Sequence, residues 1–211
     1  MTTLSMKILA FGDVHGDDEA LSAIHKLAIA RNPDILVCVG DFTIFGMDML
    51  VLLEQLNLLA EIIQKPLFLI PGNHEDEDEL AEIISEYENI TYIHRKAHIH
   101  DNVLFIGYGG GGFAQRDPDF ANFIQELGPV QLPCVLLTHQ PPFGNNLDTL
   151  HGKSTGNSDY TNFIRETQPL LALSGHIHEN FGVQDKIGNT ILLNPGPKGI
   201  IISIDVTDTG E

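Results

Sequence analysis

The feature that most constrains this chain is a series of short, wholly apolar runs, each ending in glycine and a polar residue. Met6–Phe11 leads into Gly12-Asp13, Ile35–Val39 into Gly40-Asp41, and Leu67–Ile70 into Pro71-Gly72-Asn73. Runs without polar alternation are strands covered on both faces, the condition of a largely parallel sheet packed between other layers. Between them the period becomes helical. Leu21, Ile24, Leu27 and Ala28 mark a helix over Glu19–Ala30, a strongly apolar helix runs from Met47 to Gln64, and an acidic one from Glu77 to Glu86.

The middle of the chain changes character. Short strands are predicted at Tyr92–Ile93 and Ala97–His100, with Asp101-Asn102 turning the chain into Val103–Ile106. Gly109–Gly112 reads as a mobile loop near a site mouth, and Pro118–Glu126 as a weak helix. Apolar strands follow at Val135–Leu137 and Leu170–Leu173, and a strand-rich tail at Phe181–Val183, Thr190–Leu193 and Ile200–Val206. No fixed-period repeat or linker interrupts the pattern. It predicts one domain over residues 1–211, with two sheets face to face and helices outside.

Charge narrows the function. Eleven Lys and Arg against 29 Asp and Glu give a net charge of −18, which counts against a protein that grips long duplex nucleic acid. The hydrophobic content of 43% is enough for a real core. No apolar run approaches the roughly 20 residues of a membrane span. Met1-Thr2-Thr3-Leu4-Ser5 lacks the pattern of a signal peptide, so a cytoplasmic location is expected. Cys38 and Cys134 lie inside apolar runs and read as buried free thiols.

The ten His decide the chemistry. Five strand ends carry Asp13-Val14-His15, Gly40-Asp41, Gly72-Asn73-His74-Glu75, Thr138-His139 and Gly175-His176-Ile177-His178. Ligand sites in open α/β sheets lie beyond the carboxyl ends of strands, so these segments should converge. Asp, Asn and His together suit divalent transition metals, and the spacing of two in Asp13/His15 and His176/His178 puts both side chains on one side of an extended segment. His98-Ile99-His100 repeats the His-x-His spacing without a preceding glycine or a strand feeding it. His94, His98 and His100 are therefore expected at the surface, and His25 and His151 in structural positions.

The ordered set D-x-H, G-D, G-N-H-E, H and G-H-x-H resembles the calcineurin-like metallophosphoesterase superfamily. The resemblance implies an α/β fold, a four-layer α-β-β-α sandwich of two mixed sheets with a dinuclear metal site at strand C-terminal ends. It implies that Asp13, His15 and His178 bind one divalent ion and Asn73, His139 and His176 the other, with Asp41 bridging them. His74 matches the His that contacts the scissile phosphate and, when protonated, serves as general acid. The expected cofactors are two divalent ions, manganese first, with iron, zinc, nickel or cobalt as alternatives, and attack by a hydroxide held between them.

One departure from the pattern is informative. Protein phosphatases of the superfamily carry G-D-x-V-D-R-G, whereas this chain has Gly40-Asp41-Phe42-Thr43-Ile44-Phe45-Gly46. Losing that Arg matters most for a dianionic monoester, which favours hydrolysis of small phosphodiesters, cyclic nucleotides among them. The alternatives are a phosphomonoesterase or protein phosphatase on the same site, and a non-catalytic scaffold. Arg116 and Lys153 are the loop cations singled out for substrate. The expected partner is a small phosphorylated molecule, not a membrane or long duplex nucleic acid, and the oligomeric state is left open.

Overall fold

A computed structural model describes residues 3–207. The first sheet is built from β1 (Thr3–Phe11), β2 (Ile35–Cys38), β3 (Leu67–Leu69) and β4 (Ile90–Tyr92), all parallel. Helices α1 (Asp18–Arg31), α2 (Met49–Ile63) and α3 (Glu77–Ile84) connect them. Each of α1 and α3 starts on an aspartate, Asp17 or Asp76, whose carboxylate accepts backbone N–H groups of the first turn.

The second sheet begins with β5 (Lys96–His100), β6 (Val103–Tyr108) and β7 (Cys134–Thr138), with helix α4 (Pro118–Leu127) between the last two. A two-residue pairing of β8 (Thr149–Leu150) with β9 (Lys153–Ser154) precedes α5 (Ser158–Thr167). Then come β10 (Leu171–Leu173), β11 (Gln184–Ile187), β12 (Thr190–Leu193) and β13 (Ile200–Thr207). The strand orders are β13-β1-β2-β3-β4 and β11-β12-β10-β7-β6-β5. β13 returns to pair antiparallel with β1, and β5 and β11 are antiparallel edges, so both sheets are mixed.

Alternation along each strand explains the layers. Ile8, Ala10, Ile35, Val37, Phe68 and Ile70 face Phe105, Val135, Leu137, Leu171, Leu173 and Leu193 across the space between the sheets. Their neighbours Leu9, Phe11, Leu36 and Leu69 face the other way, under Ile24, Leu53, Leu56 and Leu80 of the first three helices. On the far side, Ile106, Leu136, Ala172 and Leu192 pack on Phe120, Tyr160, Phe163 and Ile164. Every core strand is buried on both faces, which is why the runs carry no polar alternation. The layer order is α-β-β-α, as the sequence predicts.

Several expectations need correction. Residues 181–183 form a turn rather than a strand: Gly182 has φ +77°, Val183 N–H donates to the Asn180 carbonyl, and β11 begins at Gln184. Helix α2 starts at Met49, two residues late, because Ile44 and Met47 close a tight bridge around Gly46. His94 is buried rather than at the surface. Its Nδ1 accepts the Gly109 N–H at 2.8 Å and its Nε2 lies 3.1 Å from Glu77 Oε2. That contact changes the picture of the glycine loop as well: Gly109 and Gly110 are buried, and Gly110 N–H donates to the Pro71 carbonyl.

His98 is exposed and His100 half-buried on edge strand β5, while His25 is half-buried on α1 and His151 exposed. Both cysteines are buried and free. Among the described residues no helix is long and apolar enough to cross a membrane.

Candidate metal centre

All five polar segments sit where parallel strands end: after β1, β2 and β3 of one sheet and β7 and β10 of the other. Packing the sheets face to face brings the two sets together. Backbone bonds fix the junction, with Asp13 N–H on the Gly40 carbonyl, Gly175 N–H on the His139 carbonyl and Gly12 N–H on the Gly196 carbonyl.

The side chains converge in three overlapping groups whose ligand atoms lie within 4.8 Å of one another. One is Asp13, His15 and His178, the second Asp41, His139 and His176, and the third His15, Asp41 and His74. His15 Nε2 is 3.3 Å from His178 Nε2, which is 3.6 Å from Asp13 Oδ1. His139 Nε2 is 3.1 Å from Asn73 Oδ1 and 3.3 Å from Asp41 Oδ2. Two nitrogen or oxygen ligands, each about 2.1 Å from one ion, stand roughly 3–3.5 Å apart, so these separations match shared coordination. Asp41 Oδ2 also lies 3.8 Å from His15 Nε2 and 3.9 Å from His74 Nε2, which makes it the common member.

The donor set is also oriented for a cation. His15 Nδ1 bonds the Thr43 carbonyl at 2.9 Å and His139 Nδ1 the Val39 carbonyl at 2.8 Å, so each ring donates there and leaves Nε2 facing inward, where a metal would displace any proton it carries. His176 Nε2 is buried without any hydrogen-bond partner, an orphan that a metal would satisfy. Charge points the same way. Burial opposes ionisation of Asp41, yet His139 outweighs it and holds the carboxyl down at about 2. Burial likewise disfavours charge on His139, but Asp41 raises it to about 9. His176 is lowered to about 4, first by burial and then by His139. Asp41 is therefore held ionised and His176 neutral, the forms in which a carboxylate and an imidazole bind a cation. The residues present fit a two-cation site.

Local backbone geometry serves the same end. Asp13, His15, Asp41 and His176 all have φ between +47° and +69°, the left-handed region that non-glycine residues seldom enter. A Cβ on Gly72 would run into the Asp41 carboxylate, and one on Gly175 into that of Asp13. These glycines leave room for a carboxylate of the cluster to lie against their backbone.

Residues to which the sequence assigned no role hold the cluster in place. Glu75 is buried, and its carboxylate accepts N–H groups of Gly72, Asp41 and Thr43 and the Thr43 hydroxyl, all at 2.7–2.9 Å. Thr43 in turn orients His15 through its carbonyl. Buried Asn194 accepts the Gly196 N–H and donates to the Ile177 carbonyl, bracing the His176–His178 loop. Its signal was Asn194-Pro195-Gly196 directly after the apolar run Ile191–Leu193. Phe45 stacks on His74 with centroids 4.0 Å apart and planes at 15°, and its N–H points to His74 Nδ1 at 3.4 Å. Arg116 bonds Asp159 and Lys153 is exposed; among the described residues neither bonds a member of the cluster.

A family model described as calcineurin-like phosphoesterase matches residues 6–180, a span that holds every residue of the cluster. The chain belongs to the calcineurin-like phosphoesterase family. Enzymes of this family use divalent metal ions, and this metallophosphoesterase has the residue groups to hold them. It is similar to the uncharacterized protein MJ1162 of Methanocaldococcus jannaschii, 28% identical over 93% of this chain and 91% of the relative. It also resembles UPF0046 protein K07C11.7 of Caenorhabditis elegans, 26% identical over 90% of this chain and 69% of that protein. Among solved structures, TT1561 of Thermus thermophilus shares the fold with a TM-score of 0.70 and 20% identity, over 92% of this phosphoesterase and 90% of that chain.

Proposed function

We propose that this phosphoesterase is a single metallophosphoesterase domain of the cytoplasm that hydrolyses small phosphodiesters, cyclic nucleotides among them. The observation that carries the diester reading is Phe45 stacked on His74, at the place where protein phosphatases of the family have an Arg. A dianionic monoester loses a bidentate partner there, while a diester with one negative charge depends on it less. Asp13, His15 and His178 would hold one divalent ion, Asn73, His139 and His176 the second, and Asp41 both. Mixed carboxylate, amide and imidazole donors suit divalent transition metals as a class, with manganese the first choice and iron, zinc, nickel or cobalt the alternatives. When bound, two such ions supply positive charge for the phosphate and an activated water.

The chain's own groups do the rest. Two ligand carboxylates against four positive charges leave the centre attractive to an anion, and neutral Asn73 preserves that excess. Phe45 N–H faces His74 Nδ1, which leaves Nε2 to carry the hydrogen on the side of Asp41. His74 thus donates to the phosphate or to the departing oxygen. Arg116 and Lys153 are the loop cations assigned to the outer part of the substrate. Monoester hydrolysis on the same site is the second reading, favoured by the retained His74.

The test is metal depletion followed by readdition. The apo protein should be inactive on bis-p-nitrophenyl phosphate, and Mn²⁺ or another first-row divalent ion should restore turnover. Activity that survives thorough chelation would sink the reading. His74→Ala should lose turnover but keep both ions, whereas Asp41→Asn should lose metal; equal metal loss in the two variants overturns the roles assigned here.

A further inference from the structure

Beside His15 the surface opens into a cavity of about 430 Å³. It is lined by Ile44, Met47, Val51 and Leu52 together with the carboxylates of Asp18 and Asp48 and the amide of Gln55. Three features set it apart from ordinary surface. Ile44, Met47 and Val51 are large apolar residues left 41%, 58% and 55% exposed. Asp48 stands at the start of α2 but makes no capping bond, so its carboxylate is not turned back onto the helix. No Lys or Arg lines the cavity; Lys26 and Lys198 line a separate depression that shares Asp18 with it.

The cavity adjoins the cluster at His15. His15 forms part of its wall, His15 and His74 rings meet edge to face at 4.7 Å, and the segment bearing Ile44 continues into Phe45, which stacks on His74. A group leaving on the His74 side would therefore enter it. We infer that this cavity is the subsite for the leaving alcohol of the ester, and that it takes an apolar alcohol carrying no negative charge and favours one with an amine. Apolar walls reward loss of hydrocarbon surface from water. Among the described residues neither carboxylate forms a salt bridge, and the pair repels a second anion and attracts an ammonium. The inference rests on the phosphoesterase reading above and deepens it from a reaction to a substrate class.

The experiment uses methyl aryl phosphodiesters, whose methyl group is too small to need the cavity. The aryl leaving group is phenol, 4-(aminomethyl)phenol or 4-carboxyphenol, and release is followed by chromatography with Mn²⁺ present. The informative quantity is each variant's change in selectivity, because comparison with the wild type cancels the intrinsic reactivity of the leaving groups. In the Asp18→Asn/Asp48→Asn double variant, the ratio of kcat/KM for the carboxy ester to that for the phenyl ester should rise about tenfold, while the aminomethyl to phenyl ratio falls. Val51→Glu should lower kcat/KM for the phenyl ester about tenfold without loss of bound metal. Ratios that stay within twofold of the wild type in both variants overturn the subsite and leave the enzyme reading intact. No metal-dependent release from any of the three esters overturns the enzyme reading and the subsite with it.

Discussion

Glu75 shows what a single carboxylate can hold together. Its two oxygens accept four hydrogen bonds from three residues that flank the ligands, and through Thr43 the same group sets the tautomer of His15. Replacing it with glutamine puts an amide NH₂ against backbone N–H groups, so at least one donor is stranded. Glu75→Gln should lower metal affinity or turnover by roughly ten- to a hundredfold, and stability by about 2–3 kcal/mol. Metal titration and thermal unfolding of the purified variant check both numbers. The glycines supply a second prediction. Gly72→Ala should remove metal binding almost completely, since the new methyl group takes the space of the Asp41 carboxylate; unchanged metal stoichiometry would refute it. The residues that converge were legible in the sequence because each is a distinctive residue type at a strand end. Glu75 belongs to the same motif, but its role was not legible, because most of its partners are backbone N–H groups, which have no residue identity to read. The Phe45–His74 stack was hidden for a different reason: it joins positions 29 residues apart through a turn that no periodicity announces.

Among the elements, the buried core strands were the best predicted, whereas the edge strand β11, the short pair β8 and β9, and helix α5 were not foreseen. β1, β2 and β3 announce themselves by apolar composition, α1 by the helical spacing of Leu21, Ile24, Leu27 and Ala28, and α3 by its acidic residues, so boundaries moved by no more than three residues. The glycine loop after β6 shows where such reading ends. His94 looks like an exposed histidine between two short strands, yet its Nδ1 accepts the first N–H of that loop. Protonating Nδ1 would set one N–H against another. Burial pushes the ring down to about 4, with the charges of Arg95 and Lys96 acting in the same direction and Asp117 against them. Glu77 also faces it and Tyr92 and Tyr108 pack around it. The unfolded chain therefore binds more protons than the folded one between the ring's ordinary 6.5 and about 4. Stability should be intact above pH 6.5 and should fall as pH drops through that window. His94→Asn keeps an acceptor for Gly109 without a titrating ring. Its thermal midpoint should vary less with pH from 6.5 to 4 than that of the wild type; parallel curves would show that His94 does not govern the loop.

At the scale of the whole molecule, the net charge of −18 and the cation-seeking centre act on different distances. The surface repels long polyanions, and the centre, once loaded, attracts a single small one. The two sheets share that centre between them, so bound metal ties one half of the sandwich to the other. The two thiols are placed to time how each half opens. Cys38 lies in the helix-covered face of the first sheet, two residues before Gly40-Asp41, and Cys134 in that of the second. Burial raises both, Cys134 to about 11 and Cys38 further, so the native protein should be inert to aromatic disulfide reagents at neutral pH. Each cysteine becomes a stopwatch for its own layer: the rate at which it is captured counts how often that layer breathes open. Metal should slow the Cys38 clock most, and clocks slowed equally would mean that the sandwich opens as one body.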